Sequence, residues 1–254
     1  MFKAAEDATK KRREETLQKP ARLRSFKNLQ ILKTHILNTL NNVDLNDASR
    51  SVYIKIRNFT ITRLIFFNGR RVNEPARITI KQLETAFNDE WINEASLKRL
   101  RTLEDETLVK DNLMCYVSAK NSSSVVGLII PIELKKHLVY LMSPSVRKNA
   151  MVQDENEFVF PNTKSVAHCS GYHAVRAVVD STDIPRVTAT SIRHYLSTIF
   201  AEENCDESAR LLFCKHLGHS PNINEMVYQD PMAVATLTNV GKFLRRVDCQ
   251  GENK

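Results

Sequence analysis

A chain of 254 residues is long enough to bury a core without disulfides, and 42% hydrophobic with 26% charged content is the make-up of an ordinary globular protein. A net charge of +8 directs it towards acidic partners, among which nucleic acid, anionic membranes and acidic proteins all qualify. The five cysteines (Cys115, Cys169, Cys205, Cys214 and Cys249) are odd in number, scattered and without a CxxC spacing, which argues against a disulfide framework or a cysteine-rich zinc site and for a reducing compartment.

Residues 1–20 are polar and basic, with Lys10, Lys11, Arg12 and Arg13 consecutive. Such a cluster fits a nuclear localisation signal or a phosphate-contacting arm, with a frayed helix terminus as the alternative. Charge stands where a signal peptide needs an apolar segment, and the longest apolar run, near Val125 to Ile132, is far too short to cross a bilayer. No membrane partner is expected; the location is nuclear in a eukaryote and cytoplasmic otherwise.

From Phe26 to Leu40 the spacing of Leu29, Ile31, Leu32, Ile36, Leu37 and Leu40 predicts a helix. A second helix is expected from about Ala48 to Asn68, ended by Gly69, which permits a left-handed turn. The run NGRRVNEPARITI follows, then a strand-like segment from about Ile78 and a helical stretch through Trp91 and Leu97. Leu113–Val117 and Val125–Ile130, on either side of an Asn-Ser-Ser-Ser turn, predict a hairpin with Lys120 at its tip. Beyond it are expected a helix over Glu133–Met142, an extended piece at Phe158–Phe160 and a helix from about Ser170 to Val179. His168, Cys169 and His173 lack a fourth ligand at metal spacing and are read as structural.

The most informative stretch runs from Thr190 to Tyr228. Arg193 and His194 lie on an apolar-periodic segment, His219 follows Arg193 by 26 positions in a Leu-Gly-His turn, and Tyr228 follows His219 by nine. Taken singly, each has a bland reading: a surface arginine, a residue beyond a glycine cap, a core aromatic. Taken together, these residues and intervals resemble the signature of the tyrosine recombinase (phage integrase) family. Gly69, Arg71 and Glu74 extend the likeness, because they match the Gly-x-Arg-x-x-Glu setting of the family's first catalytic arginine. Arg70 is its neighbour; the spacing to Glu74 selects Arg71.

The resemblance implies the catalytic-domain fold of that family, mainly α-helical with a small antiparallel sheet, over residues 21–247. Residues 1–20 would be a basic segment or the remnant of a core-binding domain, and 248–254 a tail. It implies DNA strand cleavage and rejoining through a 3′-phosphotyrosyl link to Tyr228, on double-stranded DNA. Arg71, Arg193 and His219 would hold the phosphate. An arginine fork grips two phosphate oxygens and keeps its charge, and a histidine donor stabilises the transition state. A tyrosine hydroxyl, with a free pKa of about 10, needs that help. Lys120 would protonate the leaving oxygen. No metal or other cofactor is implied.

Thr190 stands where the family usually has histidine or lysine; it can hydrogen-bond a phosphate oxygen but carries no charge. Eukaryotic Crypton-type transposon recombinases resemble the chain in such departures. His216 and His219 form an HxxH near Cys214, which also admits a zinc reading; the family placement takes His219 for the phosphate and leaves His216 on a helix surface near a C-terminus, where its cation is favoured. Residues 232–247 read as an amphipathic helix after Asp230-Pro231. The family docks such a helix on a neighbouring protomer in a tetramer on two duplexes; packing on its own domain is the alternative. A different class of function, a domesticated DNA-binding protein that kept the fold without the reaction, is favoured by Thr190.

Overall fold

The computed structural model describes residues 26–118, 125–184, 187–203, 205–229 and 236–248. The Lys10–Arg13 cluster, the hairpin tip with Lys120, and residues 230–235 and 249–254 lie outside them.

Helix α1 (Phe26–Asn42) lies against α2 (Arg50–Asn68), the helix on which the fold is built. Ser49 caps α2 at its start, and Tyr53, Ile56, Phe59, Ile61, Leu64 and Ile65 are buried along it. Burial at 59, 60, 61, 62, 63, 64 and 65 runs all the way round the helix, which is what a helix enclosed on every side requires. Each fully buried aliphatic side chain there contributes about 1.5–3 kcal/mol of transfer free energy. The helix ends at Gly69, whose φ of 60° is left-handed and whose N–H donates to Ile65 O; a Cβ there would also come within 2.7 Å of Leu196 Cδ1.

A one-turn helix, α3 (Asn73–Ala76), leads to α4 (Ile80–Phe87). The expected strand at Ile78 shrinks to one bridge, Thr79 with Phe158. The reason is local: Thr79 and Gln82 form a capping box that turns the chain into helix one residue later. The expected helical stretch through Trp91 is likewise broken. Asp89 takes a left-handed φ of 55°, Trp91 sits in the turn, and Asn93 and Thr102 cap separate short helices, α5 (Glu94–Leu97) and α6 (Leu103–Lys110).

Strands β1 (Asn112–Ser118) and β2 (Val125–Pro131) pair antiparallel, with Leu113 opposite Ile130, Cys115 opposite Leu128 and Val117 opposite Val126 on the buried face. A 3₁₀ turn (Ile132–Leu134) opens α7 (Lys135–Met142), followed by α8 (Pro144–Asn149). The extended piece at 158–160 is present: Val159 N–H donates to Ile78 O, and Cys169 N–H to Phe160 O. Ser170 caps α9 (Gly171–Val179), which packs along α2. Then come α10 (Ala189–Glu202), α11 (Glu207–Leu217), a short α12 (Pro221–Ile223), a π-turn (Asn224–Tyr228), a second π-turn (Thr236–Val240) and α13 (Gly241–Asp248). Among the described residues no helix is long and apolar enough to cross a membrane.

Candidate functional site

Two helix ends, a third helix and a π-turn converge on one place. The α2 terminus delivers Gly69, Arg70 and Arg71; the α11 terminus delivers Gly218 and His219; α10 supplies Arg193 from below; and the π-turn brings Tyr228 back over them. Gly218 has a left-handed φ of 72°, and its N–H and that of His219 return to Lys215 O and Cys214 O, closing α11 as a glycine cap does.

Arg193 is 3% exposed. Its Nη1 donates to Gly69 O at 3.3 Å and its Nη2 to Leu217 O, so one guanidinium ties the carbonyl ends of two helices together. Both ends carry partial negative charge, which favours a cation. Its Nε has no hydrogen-bond partner, and its Cζ lies 4.8 Å from the centre of the Tyr228 ring. Burial lowers its pKa, an effect opposed by Tyr228.

Arg71 is the exposed arginine of the turn, with its side chain 44% accessible. Glu74, 2% exposed, fixes it through the Arg71 backbone N–H at 3.2 Å and Nη1 at 3.4 Å. Nη1 lies 3.8 Å from where a Cβ on Gly218 would stand, so this arginine borders the His219 turn.

The His219 ring stacks on Tyr228, with centroids 4.7 Å apart and an interplanar angle of 11°. Neither ring nitrogen finds a hydrogen-bond partner, although both are buried. Its pKa is lowered to about 4, first by burial and then by Arg193; the Ser220 backbone pulls the other way without reaching hydrogen-bond geometry. His219 is therefore neutral at pH 7, with one N–H to donate and one lone pair. The Tyr228 ring also meets His194 at 5.3 Å, and His194 Nδ1 is 3.0 Å from Tyr228 O.

The structure thus brings Arg71, Arg193, His219 and Tyr228 together. Thr190 lies exposed in the first turn of α10, one turn before Arg193. Lys120 falls outside the described residues. His216 corrects the expectation of a cationic surface residue: it is half-buried, its Nε2 is 3.0 Å from Asn68 O, and burial lowers its pKa, with Arg70 and Arg193 adding to the shift. Desolvation here outweighs the helix end. Among the described residues no group of three or more His, Cys, Asp or Glu side chains is placed to hold a metal ion. Two contributors escape a reading of the sequence. His194 stands out there only as the neighbour of Arg193, and Arg70, fully buried beneath the turn, looks like the solvated half of a doublet.

The mainly helical architecture with its small two-stranded antiparallel sheet is the fold of a tyrosine recombinase catalytic domain. Among solved structures, the chain is similar to the XerH site-specific recombinase bound to palindromic difH substrate in a post-cleavage complex, with a TM-score of 0.53 and 17% identity over 86% of this chain. It spans about half of that protein, 53% of its length. A pre-cleavage complex of XerH with difH substrate gives a TM-score of 0.49 at 17% identity, covering 81% of this chain and 52% of that one. XerA recombinase gives 0.47 at 14% identity, covering 91% and 65%. The fold correspondence rests on the first of these. No family model matches the sequence, and no curated protein matches it.

Proposed function

We propose that this chain is a tyrosine recombinase that cleaves and rejoins strands of double-stranded DNA. The observation that carries the reading is the buried donor cluster against Tyr228: Arg193 Nε lacks an acceptor, neither His219 nitrogen has a partner so that its one N–H is free to donate, and Arg71 opens to solvent beside them. A phosphodiester is an acceptor of the right charge for such donors. Tyr228 Oη attacks the scissile phosphorus and loses its proton to water. The P–O5′ bond breaks as the P–O(Tyr) bond forms, and Lys120 gives a proton to the departing 5′ oxygen. The phosphotyrosyl ester keeps the energy of the phosphodiester, so attack by another strand's 5′ hydroxyl reverses the step. A tetramer on two duplexes, joined through residues 232–247, completes the proposal. The exposure of Leu237, Val240 and Leu244 supports that docking, and the departures around Thr190 fit a Crypton-type relative.

The test is covalent trapping on nicked duplexes in EDTA, read as protein-linked DNA on a denaturing gel. An adduct is expected from the natural chain and none from Tyr228→Phe. The second reading, a DNA-binding protein without the reaction, is favoured by the uncharged, exposed Thr190. It gains if the duplexes bind, no adduct forms, and Tyr228→Phe binds equally well.

A further inference from the structure

Arg70 is among the most completely buried side chains of the molecule, at 0% exposure, yet it is a charged one. Its Nε lies 2.8 Å from Glu74 Oε2, close enough for an ion pair although the N–H points off the carboxylate. Neither Nη1 nor Nη2 has a hydrogen-bond partner. Both lie under Gly218, at 3.5 and 3.6 Å from where a Cβ would project. A buried charge in this condition costs several kcal/mol unless something nearby makes use of it.

The charges around it do not balance. Arg70, Arg71 and Arg193 are three guanidiniums, and among the described residues Glu74 is the carboxylate that ion-pairs with the first two. Oε1 faces Arg71 Nη1, while Oε2 lies against Arg70 Nε and also accepts the Arg71 backbone N–H, so one carboxylate charge is shared between two guanidiniums. His216 and His219 face the same cluster, whose positive charge adds to burial in lowering both their pKa values. Excess positive charge is therefore stored below the surface that Arg71 and His219 present.

We propose that Arg70 is a positioning residue of the phosphate site: by sharing the Glu74 charge it lets Glu74 orient Arg71 without neutralising it, and it adds a buried positive charge beneath the bound phosphate without touching it. The nature of the anion rests on the strand-cleavage reading; the charge relations do not. Burial keeps Arg70 from reaching a ligand, so its action is through Glu74, Arg71 and the field across the Gly218 turn.

The experiment compares Arg70→Met, close in volume and uncharged, with Arg70→Lys, which keeps the charge. The first readout is the His219 ring titration by NMR without DNA. It is expected to rise measurably above about 4 in Arg70→Met, with burial and Arg193 still holding it below the ordinary value, and to stay near the natural value in Arg70→Lys. The second is affinity for a mixed-sequence duplex across a salt series. Arg70→Met is expected to bind about ten-fold or more weakly, the scale of one charge acting over several ångströms of protein. Its dependence on log salt should be unchanged, whereas loss of a phosphate-touching cation lowers that slope by about 0.9. An unmoved His219 titration in a folded Arg70→Met protein overturns the proposal. So does a slope that falls by about one, which would make Arg70 a direct contact, or an equal loss of affinity in Arg70→Lys with His219 unmoved, which would make its role one of packing. Because the titration needs no DNA, failure of the strand-cleavage reading leaves the first result standing.

Discussion

Arg147 and Arg70 are both buried arginines, and they are buried for opposite ends. Arg147, on α8, donates from Nη1 to Phe158 O at 3.0 Å and from Nη2 to Asn156 O, and Asn156 in turn reaches Ser165 O and Ala167 O at 2.9 Å each. Its forks are filled by carbonyls, and the loop from 150 to 168 is organised as a result. Arg70 leaves both Nη groups unfilled, and Arg193 leaves its Nε so. A scaffold arginine commits its donors to its own chain; the arginines around Tyr228 hold theirs in reserve. A buried unfilled donor calls for an explanation; under the proposed function Arg193 Nε awaits an outside acceptor, whereas Arg70 acts by its charge alone.

Three measurements press on that contrast. The largest effect is expected from Arg193→Ala, which under the proposed function removes a donor to the phosphate: adduct formation per folded molecule should fall by about 100- to 1,000-fold, followed by single-turnover gel assay. Arg147→Met should do the reverse. Leaving two carbonyls unpaired should cost about 2–4 kcal/mol, read by urea denaturation, while the adduct rate per folded molecule is unchanged. An Arg147 variant that is stable but slow would erase the distinction. The smallest effect is that of pH. The unfolded chain protonates a histidine near 6.5 and folded His219 only near 4, so the unfolded state binds more protons between these values. Stability is therefore expected to be full above pH 6.5 and to decline as pH falls towards 4, with His216 contributing in the same direction. A bound phosphate opposes the cations that depress His219, so duplex affinity should rise as pH falls through the same window, measured by fluorescence anisotropy at constant ionic strength.

The positions of Arg71, Arg193, His219 and Tyr228 are legible because spacing along the chain encodes which element carries each one: Arg71 and His219 just past helix ends, Arg193 within a helix and Tyr228 in a turn. Gly69 and Gly218 announce those ends, since a left-handed residue is needed to close a helix in this way. The hairpin is legible from two apolar runs about a polar turn. What the sequence does not reveal depends on neighbours distant along the chain. Arg70 and Arg71 are adjacent and chemically alike, and only the packing of the α11 terminus over one of them makes it buried and the other exposed. His216 departs from its expected character for the same reason: a helix end predicts a cation, but burial and two buried guanidiniums outweigh both that end and the Asn68 carbonyl. The strand expected at Ile78 fails because Thr79 serves both an extended bridge and a helix cap, and capping decides the residues that follow.

Asn68, the last residue of α2, shows how that site is kept in alignment with the hairpin. Its side-chain amide accepts from Ile129 N–H and donates to Ile129 O, both at 2.8 Å, in the manner of a neighbouring strand one residue long. The same residue's backbone carbonyl meets His216. The free edge of β2 is thereby closed where it passes the arginine turn, and the amide acts as a key that fits one notch. Were β2 to slip by two residues in one direction, Pro131 would stand in that notch without an N–H to offer. A single carboxamide thus sets the hairpin's reading frame against the turn that carries Arg70 and Arg71.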